Sequence, residues 1–290
     1  MSVPTVAALL KASALSLLEA RALLAHALGS TREALVAHPE REVDGDAARR
    51  FDDLIARRSA GEPLAYLLGE REFYCRPFVV TPAVLIPRPE TELLVQLAVE
   101  HARNLASPRL LDLGTGSGCI AISLALELPN AEILAVDISA AALDVARTNA
   151  TRLGARVNFI ESDWYSAVSD RFDMIVANPP YLPSGIIPTL PVEVERFEPH
   201  LALDGGPDGL RVLRRLVAQA PRFLRPGAWL LMEIGEEQAG PLASLMAAEG
   251  FSRIGARRDL RGVERYIEGC WAAPPAQVSL TGAATQRMSY

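Results

Sequence analysis

The sequence predicts an α/β protein: a seven-stranded, mostly parallel sheet with helices on both faces, preceded by a small helical bundle. From residue 109 onward, short apolar runs alternate with helical patterns, as they do in strand–helix–strand units. The first 70 residues are rich in leucine and alanine and poor in β-branched residues, which favours helices. The last two apolar runs are too close together for a crossover helix, so one of those strands must run antiparallel.

The composition limits the size of the domains and the class of partner. The chain has 290 residues, half of them hydrophobic, and a formal net charge of −6. This length suits one large domain and one small domain, at roughly 150 residues per domain. An acidic protein lacks the broad basic face that binds phosphates. We therefore expect no direct contact with nucleic acid, and a small-molecule site or a protein partner instead.

Neither a membrane nor a metal is indicated by the sequence. No apolar run reaches the ~18 residues that a membrane-spanning helix needs, and the chain does not open on a secretory signal pattern, so we expect a cytoplasmic protein. Its three cysteines form no C-x-x-C pair and its four histidines show no ligand spacing. This predicts neither a disulfide nor a metal site. We also expect a monomer.

Residues 1–70 are predicted to form the helical bundle, a structural or docking domain. Gly29 follows a leucine-rich run and is expected to end its helix. Ser30, with Glu33 three residues later, matches a capping box for the next helix. Asp46 is the expected cap of the helix after that. The domain shows no recognisable chemistry.

Residues 71–88 predict a β-hairpin that links the two domains. Aromatic and β-branched residues there are interrupted by Pro77 and Pro82, as in paired strands that end in turns. The next helix is expected to begin at Pro89, since proline suits the first helical position. Arg88 lies between two prolines, which a plain linker does not explain. We interpret it as part of the wall of a catalytic site.

Residues 89–270 are predicted to form the main domain, and residues 271–290 a disordered tail. The tail begins with Trp271, continues into two prolines and then becomes polar. Strands are predicted at 109–113, 132–136, 157–161, 172–177, 228–234, 251–257 and 264–270. Helices are predicted at 117–128, 139–153, 208–224 and 236–249.

The loop after the first strand of this domain predicts a cofactor site. Glycines at 114, 116 and 118 allow a tight turn and close approach of the backbone to a ligand at the helix N-terminus. The second strand ends at Asp137, whose carboxylate can accept hydrogen bonds from both hydroxyls of a ribose. This order of elements indicates an adenosine-containing cofactor. A tight turn and a helix cap are the structural alternatives.

The glycine spacing helps to identify the cofactor. Dinucleotide sites use G-x-G-x-x-G, whereas this loop reads G-x-G-x-G, which suits S-adenosylmethionine because that molecule has no pyrophosphate. After the third strand, Asp163 offers a contact to the edge of an adenine and Trp164 offers an apolar wall. Either residue could instead serve as a helix cap or a core aromatic.

A rigid tetrapeptide, Asn178-Pro179-Pro180-Tyr181, follows the fourth strand. Two prolines cannot continue a sheet, so the chain must turn away from it at Asn178. Prolines have a fixed φ and no N–H, which leaves the nearby carbonyls with few competing donors. The Asn178 side chain offers both an acceptor and a donor, and with Tyr181 as an aromatic lid this set suits a planar –NH2 group. The structural alternative is a turn that ends the strand.

Residues 110–181 resemble the class I S-adenosylmethionine-dependent methyltransferases, and the tetrapeptide resembles their subgroup that methylates planar nitrogens. With residues 69–73, 85–92 and 196–199, the chain is similar to the bacterial release factor glutamine methyltransferase family as far as about residue 268. The resemblance implies S-adenosylmethionine as cofactor and S-adenosylhomocysteine as product. It also implies, as substrate, the glutamine of the Gly-Gly-Gln loop in class I peptide chain release factors, whose methylation modulates translation termination.

The resemblance also implies the role of individual residues. It assigns cofactor binding to Gly114, Thr115, Gly116, Ser117, Gly118, Asp137, Trp164 and Asn178. It assigns substrate binding to Asn178, Pro179, Pro180 and Tyr181. We interpret Asn178, Pro179 and Tyr181 as catalytic. The Asn178 side-chain oxygen and the Pro179 carbonyl would each accept one N–H of the substrate amide, and Tyr181 would stack on the amide plane.

The sequence leaves two alternative functions open. An enzyme that methylates the exocyclic amino group of adenine in DNA or RNA must also orient a planar –NH2 group toward the methyl donor. Such an enzyme must in addition flip the base and hold phosphates. A methyltransferase-like fold kept for binding alone is the second. Degenerate glycines or a lost Asn178 would favour it, and the sequence shows neither.

Overall fold

The computed structural model describes residues 3–272, which begin with a bundle of five short helices. The helices are α1 (Val6–Ala12), α2 (Leu17–Leu28), α3 (Arg32–Ala37), α4 (Gly45–Ser59) and α5 (Leu64–Leu68). Their apolar faces close over one core, which includes the buried Leu23, Leu24, Leu35 and Phe51. The predicted N-terminal helical region is thus present.

Two of the predicted helix caps are wrong by one or two residues. The side chain that caps α3 belongs to Thr31, whose Oγ1 accepts a hydrogen bond from the Ala34 amide at 3.2 Å. The amide of Ser30 instead donates to the carbonyl of Ala25, five residues back in α2, so Ser30 still belongs to the end of α2. The cap of α4 is Asp44 in place of Asp46.

A cap substitution tests this assignment. We expect Thr31→Ala to destabilise α3 by about 1 kcal/mol, because it removes the acceptor of an otherwise unpaired helix amide. On the full-length protein, hydrogen exchange of the α3 amides should then be about fivefold faster, at 1.4 kcal/mol per factor of ten. Ser30→Ala is the matched control and should leave the exchange unchanged. Equal effects of the two substitutions would contradict the assignment.

The linker contains a β-hairpin that is shorter than the sequence predicts. Its strands are β1 (Glu70–Phe73) and β2 (Arg76–Val79), paired antiparallel, and residues 80–88 continue without a strand. Three apolar side chains of that stretch, including Val84, pack with Tyr66 of α5 and with residues of a main-domain helix. The Tyr66 hydroxyl also donates to the carbonyl of Val84 at 2.6 Å. The linker therefore joins the two domains by packing as well as by chain connectivity.

The main domain is a seven-stranded sheet. The strands are β3 (Arg109–Leu113), β4 (Glu132–Asp137), β5 (Asn158–Glu161), β6 (Phe172–Ala177), β7 (Leu224–Glu233), β8 (Phe251–Arg258) and β9 (Glu264–Trp271). They lie in the order β5-β4-β3-β6-β7-β9-β8. Strands β3 to β7 are parallel, and β9 runs antiparallel to both of its neighbours. The predicted fold class is confirmed.

Helices cover both faces of this sheet. They are α6 (Thr91–Ala102), α7 (Cys119–Glu127), α8 (Ala140–Leu153), α9 (Val192–Glu195), α10 (Arg211–Gln219) and α11 (Ala239–Ala248), with single 3-10 turns at Ser184–Thr189, His200–Ala202 and Ala220–Arg222. One core packs α10 and α11 on the sheet, and the other packs α6 and α7 on its opposite face. Neighbouring residues of a strand alternate between them, since Leu110 belongs to one core and Leu111 to the other.

Several bounds differ from those that the sequence predicts. Helix α6 begins at Thr91, two residues after Pro89. Strand β7 begins at Leu224, four residues earlier than predicted, and the last strand includes Trp271, which is buried. Of the expected tail, residues 273–290 lie outside the described residues. Strand ends are poorly marked in sequence because the burial pattern fades there.

The strand order also predicts where a ligand binds. The chain goes from β3 to β4 on one side, and later places β6 on the other side of β3. Loops that leave the carboxyl ends of β3 and β6 therefore diverge and leave a crevice, which is where open α/β sheets bind ligands. Among residues 3–272 no helix is long and apolar enough to cross a membrane.

Candidate active site

A cavity of about 340 Å³ lies at the carboxyl ends of β3, β4 and β6. Ten of the thirteen residues singled out in the sequence line it, namely Arg88, Gly114, Thr115, Gly116, Ser117, Asp137, Asp163, Trp164, Asn178 and Pro180. Gly118, Pro179 and Tyr181 do not. Segments that are distant in sequence thus meet at the predicted crevice.

The glycine loop forms the floor of the cavity. Its three glycines have positive φ, which favours glycine over residues that carry a Cβ. A Cβ on Gly116 would meet no atom within 4 Å, so that position faces open space. A Cβ on Gly118 would lie 2.8 Å from Ile122 and 3.1 Å from Ala146. Gly118 is therefore needed for the packing of α7 against α8, a different role from the cofactor contact expected of it.

Asp137 ends β4 and fixes the shape of the glycine loop. One carboxylate oxygen accepts a hydrogen bond from the Gly116 amide at 2.8 Å, and the other accepts from the Ser139 amide at 2.9 Å. Burial raises the pKa of this carboxyl, and the two amide hydrogen bonds oppose that rise. Each oxygen keeps a further lone pair for a ligand in the cavity.

Asp163 and Trp164 form another wall. The Asp163 carboxylate is held by Arg215 through two hydrogen bonds of 2.9 and 2.8 Å. Each of its oxygens therefore already accepts one hydrogen bond within an ion pair. Trp164 has a φ of 55°, which turns its ring over the glycine loop. A Cβ on Gly114 would lie only 3.1 Å from that ring. Both residues line the cavity, and their contacts to an adenine stay a prediction.

The turn after β6 is held by three neighbours. The Asn178 Nδ2 group donates to the Thr91 hydroxyl at 3.0 Å, which ties the turn to the first residue of α6. The Tyr181 carbonyl accepts from the Gln238 side chain at 2.9 Å, and the Tyr181 hydroxyl donates to Glu233 at 3.2 Å. No hydrogen bond within residues 3–272 uses the Asn178 Oδ1 atom, which leaves an acceptor available at the cavity.

Tyr181 is not among the residues that line the cavity. Its ring is partly buried in the core beside α10 and α11, and its hydroxyl is bonded to Glu233. Burial raises the pKa of the Tyr181 hydroxyl above its usual range. The structure thus shows Tyr181 supporting the turn from behind the cavity, and the expected stacking on a substrate amide stays a prediction.

Arg88 lines the cavity through an ion pair that the sequence did not reveal. Its guanidinium binds the carboxylate of Glu198, which is only 3% exposed and also accepts from the Ile86 amide at 3.2 Å. Burial raises the pKa of the Glu198 carboxyl, and Arg88 opposes that rise. Arg88 belongs to the segment 85–92 and Glu198 to the segment 196–199, both of which carry the family resemblance. Their ion pair gives a physical reason for the presence of both segments.

Sequence reasoning missed four buried polar side chains that support the site: Thr91, Glu198, Glu233 and Gln238. Each is polar and almost fully buried. A signal existed for Glu233, since an acid closes the apolar run of β7, and a buried acid needs partners. What the sequence lacks is the strand adjacency that places β7 beside β6, with Met232 opposite Ala177.

Two family models match the chain. The PrmC N-terminal domain matches residues 5–69, and the methyltransferase small domain matches residues 89–185. A protein of Burkholderia pseudomallei called release factor glutamine methyltransferase is 48% identical over 273 residues, which cover 91% of this chain and 95% of its own. The chain belongs to the release factor glutamine methyltransferase family.

A second relative agrees with membership of the release factor glutamine methyltransferase family, and a solved structure agrees with the fold. A relative with that name from Bordetella pertussis is 48% identical over 254 residues, 87% of this chain and 94% of its own. Among solved structures, the hMettl16 catalytic domain in complex with the MAT2A 3'UTR hairpin 6 matches with a TM-score of 0.58 at 18% identity. That match covers 77% of this chain and 83% of the other. At that identity the likeness shows the fold alone.

The cavity of this family member suits the cofactor expected from the sequence. Ser117 lines the cavity, and its hydroxyl is buried without a hydrogen-bond partner among residues 3–272. Gly116 faces open space, and Asp137 offers carboxylate lone pairs beside it. Amide and carboxylate groups of this kind fit the ribose and amino-acid ends of S-adenosylmethionine.

Proposed function

We propose that this protein transfers a methyl group from S-adenosylmethionine to the side-chain amide nitrogen of the glutamine in the Gly-Gly-Gln loop of class I peptide chain release factors. The observation that carries the proposal is the Asn178 carboxamide, whose nitrogen is bonded to Thr91 while its oxygen remains available at a cavity next to the glycine loop. The names of the relatives over most of the chain support the same substrate.

The chemistry asked of the protein is placement and polarisation. S-adenosylmethionine supplies an electrophilic methyl group, so the protein's task is to orient a weakly nucleophilic amide nitrogen. Asn178 Oδ1 and the Pro179 carbonyl are the two acceptors that we assign to the substrate N–H groups. Oriented placement of this kind is worth roughly 7–11 kcal/mol of barrier in favourable cases. The fixed φ of the two prolines restricts the backbone that carries the Pro179 carbonyl, and the hydrogen bond to Thr91 holds the Asn178 side chain.

The cofactor contacts in this proposal follow from the lining of the cavity. Gly114, Thr115, Gly116 and Ser117 lie along its floor, Asp137 is assigned to the ribose, and Asp163 and Trp164 to the adenine. Gly118 supports the loop by packing. Arg88, held by Glu198, is assigned to the substrate side. No metal ligand set is part of the proposal.

Cytoplasmic action as a monomer completes the proposal. Release factors act where proteins are synthesised, so an enzyme that modifies them works in the same compartment. The α1–α5 bundle is a candidate surface for docking the factor, since the linker holds it against α8 and beside the cavity-lining Arg88. Gel filtration with light scattering would give the mass in solution, and a dimer would contradict the monomer.

Mass spectrometry of a release factor tests the substrate directly. After incubation with this protein and isotope-labelled S-adenosylmethionine, we expect one added methyl group on the glutamine of the Gly-Gly-Gln peptide. A release factor with that glutamine replaced by alanine is the matched control and should remain unmodified. Adenine-containing DNA and RNA oligonucleotides form a further arm. Methylated adenine together with an unmodified release factor would overturn the proposal and favour the nucleic-acid alternative.

A further inference from the structure

Glu233 is a buried carboxylate that the proposed reaction does not use. It ends β7 and is 2% exposed. Its Oε2 atom accepts a hydrogen bond from the Thr91 hydroxyl at 2.7 Å, and its Oε1 atom accepts from the Tyr181 hydroxyl at 3.2 Å. Thr91 in turn accepts from Asn178 Nδ2 at 3.0 Å. The three hydrogen bonds join Glu233 to both ends of the turn that follows β6.

The chemistry of each group fixes the direction of these hydrogen bonds. An ionised carboxylate can only accept, so the Thr91 hydroxyl must give its proton to Glu233. A hydroxyl has one proton, which leaves Thr91 with lone pairs alone for Asn178. Only the –NH2 end of the Asn178 side chain can therefore face Thr91. Its oxygen is left to face away from α6.

We propose that Glu233 is a positioning residue that acts through Thr91 to determine which end of the Asn178 carboxamide is presented to the substrate. The inference rests on the proposed function, in which that end must be the acceptor. A substrate amide brings two N–H donors, and a reversed Asn178 would meet them with donors of its own. A buried pair of donors facing each other leaves both groups unsatisfied. The relay therefore selects the productive orientation.

The protonation state of Glu233 controls the relay. Burial raises the pKa of this carboxyl to about 7. The two hydroxyl donors and the positive charge of Arg265 on β9 oppose that rise, whereas the negative charge of Glu90 before α6 adds to it. The other titratable groups that interact with its charge are Tyr181, Tyr266 and Cys119. As the pH falls through about 7, Glu233 gains a proton and can donate, so the direction of the relay is no longer fixed.

Substitutions of Thr91 separate positioning from packing. Thr91→Val keeps the shape and removes the hydroxyl, and we expect kcat for the release factor to fall about 100-fold. Thr91→Ser restores the hydroxyl and should recover most of that loss. The affinity for S-adenosylhomocysteine, measured by calorimetry, should change less than threefold in both. Equal losses in the two variants would mean that Thr91 only fills space, and an unchanged kcat in Thr91→Val would overturn the proposal.

Glu233→Gln tests the origin of the relay. Its side chain offers one acceptor to two hydroxyl donors, so we expect kcat to fall about tenfold. The wild-type kcat should decline as the pH falls below about 7, and this decline should disappear in Glu233→Gln. A decline that persists in this variant would assign the titration to another group and overturn the inference.

A spectroscopic measurement is independent of activity. In the full-length protein labelled on asparagine side-chain nitrogen, the Asn178 –NH2 signals, assigned through their loss in Asn178→Ala, should shift with a midpoint near pH 7. Thr91→Val and Glu233→Gln should both remove that shift. Signals that do not respond to pH would refute the relay even if the wild-type protein methylates release factors. A wild-type protein that shows the shift but no methyl transfer would refute the proposed function alone.

Discussion

Asn178→Ala is expected to lower kcat for release factor methylation by about 10²- to 10³-fold. The substitution removes the side-chain oxygen that we assign to one N–H of the substrate amide, and losing one oriented hydrogen-bond partner of a reacting group costs roughly that factor. The substrate nitrogen then turns freely relative to the methyl group. Steady-state kinetics at saturating cofactor and release factor measure the effect.

The control experiments separate chemistry from binding and folding. Asn104→Ala removes an exposed asparagine in the turn after α6 that does not line the cavity, and it should leave kcat unchanged. The affinity of Asn178→Ala for S-adenosylhomocysteine should stay close to that of the wild type, because Asn178 is one of several residues along that wall. A large loss of cofactor affinity with unchanged kcat would contradict the substrate role of Asn178 and indicate that it binds the cofactor instead.

The sheet could be predicted from the sequence because parallel strands are buried on both faces and appear as continuous apolar runs. β3 and β6 have the predicted bounds for this reason. The prolines at 179 and 180 marked the end of β6, since their effect on the backbone depends on no distant residue. The same holds for the glycine loop, whose positive φ values are local.

The helix caps show where local patterns are insufficient. Ser30 and Thr31 are adjacent hydroxyl residues, and either can cap a helix. The choice depends on how α2 ends, because Gly29 takes a left-handed conformation and draws the Ser30 amide back to the last turn of α2. The cap of α3 can then form only at the next residue. Such a choice depends on two elements at once, which a four-residue pattern does not contain.

The orientation of Tyr181 depends on strand neighbours that are far apart in sequence. The tetrapeptide predicted an aromatic lid, yet the ring packs toward α10 and α11 and the hydroxyl reaches Glu233, 52 residues later. Likewise, Thr91 meets Asn178 across 87 residues, and Arg88 meets Glu198 across 110 residues. The sequence therefore indicated which residues border the cavity, but not which buried partners hold them.

Asp137→Ala is expected to raise the dissociation constant for S-adenosylmethionine by about 10- to 100-fold. The carboxylate is assigned to the ribose hydroxyls, and a hydrogen bond to a charged group is worth roughly 1.5–3 kcal/mol. The substitution also removes the acceptor of the Gly116 and Ser139 amides, so the glycine loop loses its anchor. Calorimetric titration of the full-length protein gives the constant.

The pH dependence of binding should agree with this assignment. Because burial raises the pKa of the Asp137 carboxyl, protonation begins at a higher pH than for an exposed aspartate, and cofactor affinity should weaken as the pH is lowered. Asp137→Asn, which cannot ionise, should lack that dependence. Asp144→Ala, on the exposed face of α8, is the matched control and should bind as the wild type does. If Asp137→Ala binds the cofactor normally, the carboxylate only supports the loop, and the ribose must be held by other residues of the cavity.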